Sequence, residues 1–267
     1  MQRNGLPPLH SDQEPDFRQI IQERYTEIAE RGASAGQGGG GSCCEPAAKL
    51  YTEEELGVVT SEAAGAAAGC GNPTALAELK PGERVLDLGS GGGIDCFLAA
   101  QAVGPDGFVI GLDMTPAMVN LARLNVQKMG LENVVFKLSP IESPPEPDNS
   151  IDVVISNCVI NLSWNKQQVF NEAFRVLKPG GRIHVSDIVL TGELPEEVRN
   201  DMDQWASCVA GAQLKDVYLG EIAEAGFTRI EVMEERAAGP EGVEWAGVVR
   251  SISVRAVKPA ADSAQAV

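Results

Sequence analysis

Six cysteines and one glycine-rich turn are the residues best suited to chemistry in this chain of 267 residues. The cysteines are Cys43, Cys44, Cys70, Cys96, Cys158 and Cys208. None stands in a CxxC pair, which argues against a zinc ribbon or a thioredoxin-type motif. Three occupy places where packing gives little reason for a thiol. Cys70 lies in the loop Gly69-Cys70-Gly71-Asn72-Pro73, Cys158 follows the apolar stretch Ile151 to Asn157, and Cys208 closes a predicted helix before small residues. Taken singly, each reads as a small buried hydrophobe. Taken together, all three sit at the ends of elements, where binding and reactive groups concentrate. Cys96 is different: it lies inside a predicted helix between Asp95 and Phe97, and reads as packing. The two histidines, His10 and His184, are not convincing general bases.

The glycine-rich turn is Gly89-Ser90-Gly91-Gly92-Gly93, between the predicted strand Val85-Leu86-Asp87-Leu88 and a helix. Its glycines let a ligand approach the backbone, and the helix N-terminus supplies unpaired N–H groups. A dinucleotide fingerprint asks for GxGxxG, but the third position here is Ile94. The pattern present is Asp87-x-Gly89-x-Gly91-x-Gly93. A carboxylate just before the turn suits a cofactor with an ammonium group and repels a pyrophosphate, which favours S-adenosylmethionine over NAD. Asp113 ends the next strand, 113 − 93 = 20 residues past the last loop glycine. A carboxylate there accepts hydrogen bonds from both ribose hydroxyls.

Alternating elements must position these groups. Arg84 to Gly89, Phe108 to Asp113, Val134 to Leu138, Ile151 to Asn157 and Arg182 to Asp187 read as strands, several of them apolar throughout. Helical patterns at about Ile94 to Val103, Pro116 to Met129 and Lys166 to Val176 separate them. This repetition predicts an α/β fold, a doubly wound Rossmann-like sheet with helices on both faces. Its carboxyl edge, where such sheets bind ligands, would carry the glycine turn and Cys158 side by side. Further on, Pro195 to Cys208 and Asp216 to Ala225 read as helices, and Thr228 to Met233 and Val248 to Val257 as strands. The expected division is an N-terminal helix with a flexible glycine-rich linker (1–42), a cysteine-bearing cap (43–79), a cofactor-binding core (80–190), substrate-binding helices with the final strands (191–259) and a disordered tail (260–267). A net charge of −17 disfavours nucleic acid and anionic membranes as partners. With no apolar run of signal or membrane-spanning length, a soluble, cytoplasmic monomer is expected.

Leu86-Asp87-Leu88-Gly89-Ser90-Gly91-Gly92-Gly93 resembles the first motif of class I methyltransferases. Asp113-Met114-Thr115, Ser156-Asn157-Cys158-Val159-Ile160-Asn161-Leu162 and Glu193-Leu194-Pro195-Glu196-Glu197 resemble the arsenite methyltransferase family more specifically. Gly69-Cys70-Gly71-Asn72-Pro73 and Cys208-Val209-Ala210-Gly211-Ala212 look like its microbial branch. The resemblance implies seven strands with the last antiparallel. It implies a cofactor site including Asp87, Gly89, Ser90, Gly91, Gly93, Asp113 and Met114, adenine contacts from Ile141 and Glu142, and Asn157 beside the methionine moiety. It assigns Cys70, Cys158 and Cys208 to trivalent arsenic, delivered as arsenite or its thiol complexes. Soft arsenic(III) prefers thiolates. It also implies a disulfide relay between Cys70 and a cysteine at the position of Cys43 or Cys44, reset by thioredoxin or glutathione. Three departures stand out: Ala67-Ala68 where animal members have two tyrosines, Ser139-Pro140 before Ile141-Glu142, and Trp164-Asn165 in place of Pro-Asp. Two other readings of the residues stay open: a methyltransferase for a small organic acceptor, and a non-catalytic thiolate protein for arsenic or antimony.

Overall fold

The computed structural model describes residues 14–34, 47–67, 69–240 and 242–260. Cys43, Cys44, the glycine-rich stretch at 35–42 and residues 261–267 lie outside the described residues. The helices, in chain order, are α1 (Glu14–Ser34), α2 (Ala47–Leu50), α3 (Glu53–Gly57), α4 (Ser61–Gly65), α5 (Pro73–Leu76), α6 (Ile94–Val103), α7 (Pro116–Met129), α8 (Lys166–Val176), α9 (Glu196–Arg199), α10 (Met202–Ala206) and α11 (Lys215–Glu224). The strands are β1 (Arg84–Leu88), β2 (Phe108–Asp113), β3 (Val134–Leu138), β4 (Ile151–Asn157), β5 (Leu177–Leu190), β6 (Thr228–Ala237) and β7 (Val249–Val257).

The strands form one sheet in the order β3-β2-β1-β4-β5-β7-β6. β1 to β5 pair in parallel, and β7 lies antiparallel to both β5 and β6. The expected seven-stranded sheet with an antiparallel last strand is therefore present. Side-chain alternation along β1 shows how both faces are covered. Leu86 and Leu88 pack with Val169 and Phe170 of α8 and Tyr218 and Ile222 of α11. Val85 points the other way, to Phe97 and Ala100 of α6 and Val119 and Ala122 of α7. A strand buried on both faces must be apolar throughout, and this is why these runs were conspicuous in the sequence.

Two expectations of local structure are corrected. The strand expected from Arg182 starts earlier, at Leu177, which already pairs with Ile151; the ladder resumes with Arg182 opposite Val153, so residues 178–181 bulge out. The single helix expected from Pro195 to Cys208 is two short ones. Asp201 caps α10 by accepting from the Asp203 and Gln204 amides at 2.7 and 3.1 Å, and an N-cap starts a new helix. Beyond β7, edge strand β6 is largely exposed and carries Glu231, Glu234 and Glu235 on its outer part.

The segment after α10 passes hard against the turn that follows β4. A Cβ at Gly211 would run into the Asn161 carbonyl oxygen and the Trp205 ring. Gly211→Ala is expected to destabilise the fold by about 1–3 kcal/mol through overpacking. Chemical denaturation measures this, and an unchanged midpoint would show that the two segments do not depend on that close approach.

Candidate active site

A cleft opens at the carboxyl edge of the parallel strands. Its floor is the glycine turn, where Gly89, Gly91 and Gly93 all have positive φ. Gly89, Ser90, Gly91, Asp113, Met114, Ile141, Glu142 and Asn157 all line it, and Cys158 is on its wall. Gly93 is not on the wall; it caps α6, beneath the turn. Asp113 accepts from the Gly91 amide at 2.9 Å and the Thr115 amide at 2.8 Å, so both carboxylate oxygens are fixed in place. Burial pushes its carboxyl above the usual range, against those two hydrogen bonds. Glu142 accepts from the Ser163 hydroxyl at 2.6 Å.

Asp87 departs from expectation. It is on the same face of β1 as Val85, beneath the turn, and accepts from the Cys96 thiol at 3.2 Å. Burial, then the nearby charge of Asp95, pushes its carboxyl well above the usual range. Asp95, in the first turn of α6, does line the cleft, beside Asp113 and Glu142. It takes hydrogen bonds from Tyr51 (3.0 and 3.1 Å), Thr74 (3.0 Å) and Asn157 (3.2 Å). These donors are neutral, and among the described residues no cation pairs with it. Burial raises it to about 6, opposed by those hydrogen bonds. An uncompensated carboxylate facing a cleft fits the ammonium end of S-adenosylmethionine. Sequence reasoning missed Asp95, although its place two residues past Gly93 was a usable signal.

Helix α1, expected as a separate N-terminal piece, forms part of the roof. Arg18, Ile21 and Tyr25 line the cleft. Gln22 donates to the Met114 carbonyl at 2.9 Å, and Arg24 to the Ser207 hydroxyl at 3.1 Å.

The three singled-out cysteines share one buried cluster with Ile21, Leu162 and Trp205. Cys70 and Cys158 are joined by a disulfide with their Cα atoms 5.5 Å apart. The Cys208 thiol donates to the Cys158 carbonyl at 2.7 Å. Cys158 and Cys208 both hold left-handed backbones, with φ of 60 and 64°. Such conformations cost energy for a side-chain-bearing residue and concentrate at functional sites. The sulfurs do not stand as a preformed three-thiol site: two are bonded to each other, and among the described residues no three Cys, His, Asp or Glu side chains are set to hold a metal ion. Cys70 is thus paired with Cys158, where the resemblance implied a pairing with Cys43 or Cys44. Cys96 is buried in α6, as expected. His184 is buried in β5, where desolvation lowers it to about 4, and it does not line the cleft.

The sheet order, the glycine turn and the carboxylate after β2 define an S-adenosylmethionine-dependent class I methyltransferase. The profile of a methyltransferase domain matches residues 79–226. The chain belongs to the arsenite methyltransferase family. It is 43% identical to an arsenite methyltransferase of Halobacterium salinarum, over 97% of this chain and 71% of that one. It is 38% identical to that of Homo sapiens, over 74% of this chain and 54% of the relative, so it spans about half the human protein's length. An arsenic(III) S-adenosylmethionine methyltransferase from Chlamydomonas reinhardtii superposes with a TM-score of 0.62 at 35% identity, covering 78% of this chain and 70% of that one. A [4+2]-cyclase superposes at 0.65 with 16% identity, which shows a shared fold alone. Among the described residues no helix is long and apolar enough to cross a membrane.

With Asp95 facing the ammonium, cofactor binding would depend on pH with a definite sign: burial raises its carboxyl to about 6, and protonation as pH falls through that value would remove the charge. Titration calorimetry is expected to show constant affinity above about pH 7 and a loss approaching tenfold per pH unit well below 6. Asp95→Asn should give the weak affinity at every pH. Equal affinities of wild type at pH 5 and pH 7.5 would remove Asp95 from the ammonium site.

Proposed function

We propose that the chain methylates trivalent arsenic held by the thiolates of Cys70, Cys158 and Cys208. The observation that carries this reading is the gathering of these three residues in one buried cluster, with Cys158 on the wall of the cofactor cleft. They come from the loop before α5, the end of β4 and the end of α10, segments far apart in sequence. No Lys or Arg cradle is needed: three thiols condensing with arsenous acid release three waters and leave a neutral trithiolate.

S-adenosylmethionine supplies an electrophilic methyl group on a sulfonium. On this reading Gly89, Ser90 and Gly91 give it a backbone floor, Asp113 takes the ribose hydroxyls, and Ile141 and Glu142 flank the adenine. Asp95 faces the ammonium. Asp87 and Gly93 support the turn from below. The acceptor arsenic carries a lone pair and no proton, so no general base is required, which suits a site where the one described histidine is buried elsewhere. Catalysis is then mainly positioning of two reactants.

Transfer leaves arsenic oxidised by two electrons. Two thiols return them, closing as a disulfide, and the Cys70–Cys158 bond is one form that product can take. A thiolate of Cys43 or Cys44 attacking the Cys70 sulfur would expel Cys158 as a thiolate and form a new disulfide. Thioredoxin or glutathione would reduce that bond in turn. A reducing cytoplasm and a monomer fit this cycle. The helices after β5, by supplying Cys208, serve the acceptor, while the cap segment that follows the glycine-rich linker carries the relay cysteines.

After full reduction, arsenite is expected to bind with three sulfur neighbours and no oxygen in the absorption spectrum at the arsenic edge. Cys208→Ser should leave a mixed sulfur–oxygen site and cut arsenite methylation at least tenfold, because the lone pair is no longer aimed. Cys96→Ser should keep its rate. Three sulfur neighbours and a near-normal rate in Cys208→Ser would defeat the proposal, as would methylation of a thiol or quinone in preference to arsenite.

A further inference from the structure

The Asn157 side chain spends its hydrogen-bonding capacity inside the protein. Its Oδ1 accepts the Cys70 amide at 3.0 Å. Its Nδ2 donates to the Gly71 carbonyl at 2.8 Å, and meets Tyr51 Oη and Asp95 Oδ2, each at 3.2 Å. The loop presses directly on it: a Cβ at Gly69 would come within 2.6–2.9 Å of three carboxamide atoms. The far side of Cys70 is tied as well, its carbonyl accepting from Ser251 at 2.5 Å and Arg236 at 2.9 Å. Asn157 is also the residue immediately before Cys158. One side chain thus binds the main chain around Cys70 to the backbone that carries Cys158, across 88 residues of sequence.

We infer that Asn157 is a positioning residue whose carboxamide sets the reach between the Cys70 and Cys158 sulfurs, and whose contact with Asp95 ties that reach to the cofactor cleft. A cofactor ligand alone would not need both ends of its amide on a cysteine loop. Loop closure over so long a segment is entropically costly, and local hydrogen bonds that hold the loop in place raise the effective concentration of one thiol at the other. Gly69 and Gly71 belong to the same device. At Gly71 an added Cβ would meet the Ser186 side chain at 2.7–2.8 Å, so the loop fits only without side chains on either flank of the cysteine. The inference deepens the reading of these cysteines as one site, but its test uses no arsenic, so the two can fail separately.

The full-length protein would be equilibrated in glutathione redox buffers, quenched in acid, and the Cys70–Cys158 pairing read by peptide mass spectrometry. Asn157→Ala is expected to lower the effective concentration of the thiol pair about tenfold, the size expected for losing one or two net hydrogen bonds. Gly69→Ala, which keeps Asn157 but forces the loop away from it, should produce a loss of the same order. Should Asn157→Ala fail to fold, Gly69→Ala decides alone. An unchanged thiol–disulfide equilibrium in the folded variants overturns the inference. So does a loss confined to S-adenosylmethionine affinity or to overall stability with the equilibrium intact.

Discussion

The site depends on two parallel strands lying side by side. β1 ends in the glycine turn, β4 ends in Asn157 and Cys158, and their pairing, Val85 with Val153 through Leu88 with Ser156, brings both ends to the same edge. The contact is close enough to restrict residue type. Gly89 has a φ of 73°, and a Cβ there would collide with the Val159 side chain. Cofactor turn and cysteine turn are therefore packed against each other with nothing between. The separation of the two turns is then set by the sheet's hydrogen-bond ladder rather than by a flexible loop, the precision that catalysis by positioning requires.

The electrostatics follow from the same crowding. Asp87, Asp95 and Asp113 converge on the first strand–helix junction and all are raised by burial. The arrangement is tolerable because each finds donors: Cys96 for Asp87, backbone amides for Asp113, and Tyr51, Thr74 and Asn157 for Asp95. A second set of buried charged groups, Lys166 and Asp187, lies near Cys208. Lys166 donates to the Ser163 and Asn161 carbonyls, and burial lowers it, while burial raises Asp187.

The sheet was legible in the sequence because strands covered on both faces must be apolar at every position, and Arg84–Leu88, Phe108–Asp113 and Ile151–Asn157 leave few other readings. The cysteine cluster was legible for a different reason: Cys70, Cys158 and Cys208 sit at element ends, where binding and reactive groups concentrate. Asp87 shows the limit. Its position before the turn could be read, but the face of β1 it occupies follows from alternation with Val85, and that face belongs to α6. Asp95 took its place on the wall because the first turn of α6 points back toward the cleft. The break at Asp201 was hidden for a related reason: an N-cap in the middle of a helical pattern looks like one more polar position until its side chain is seen to satisfy two amides. The roof formed by α1 was not readable at all, since amphipathic spacing shows that a helix buries a face but not what it buries it against.

The exposed edge strand gives the molecule a colloidal property distinct from its chemistry. β6 presents an open row of backbone groups at the end of the sheet, the kind of edge on which a second sheet can grow. Glu231, Glu234 and Glu235 line it, within a chain whose net charge is −17. At neutral pH, repulsion between two chains of this net charge opposes such pairing. Near the isoelectric point of about 4.5 that repulsion fades. Association in acid would then begin at the same strand whose Arg236 holds the Cys70 carbonyl.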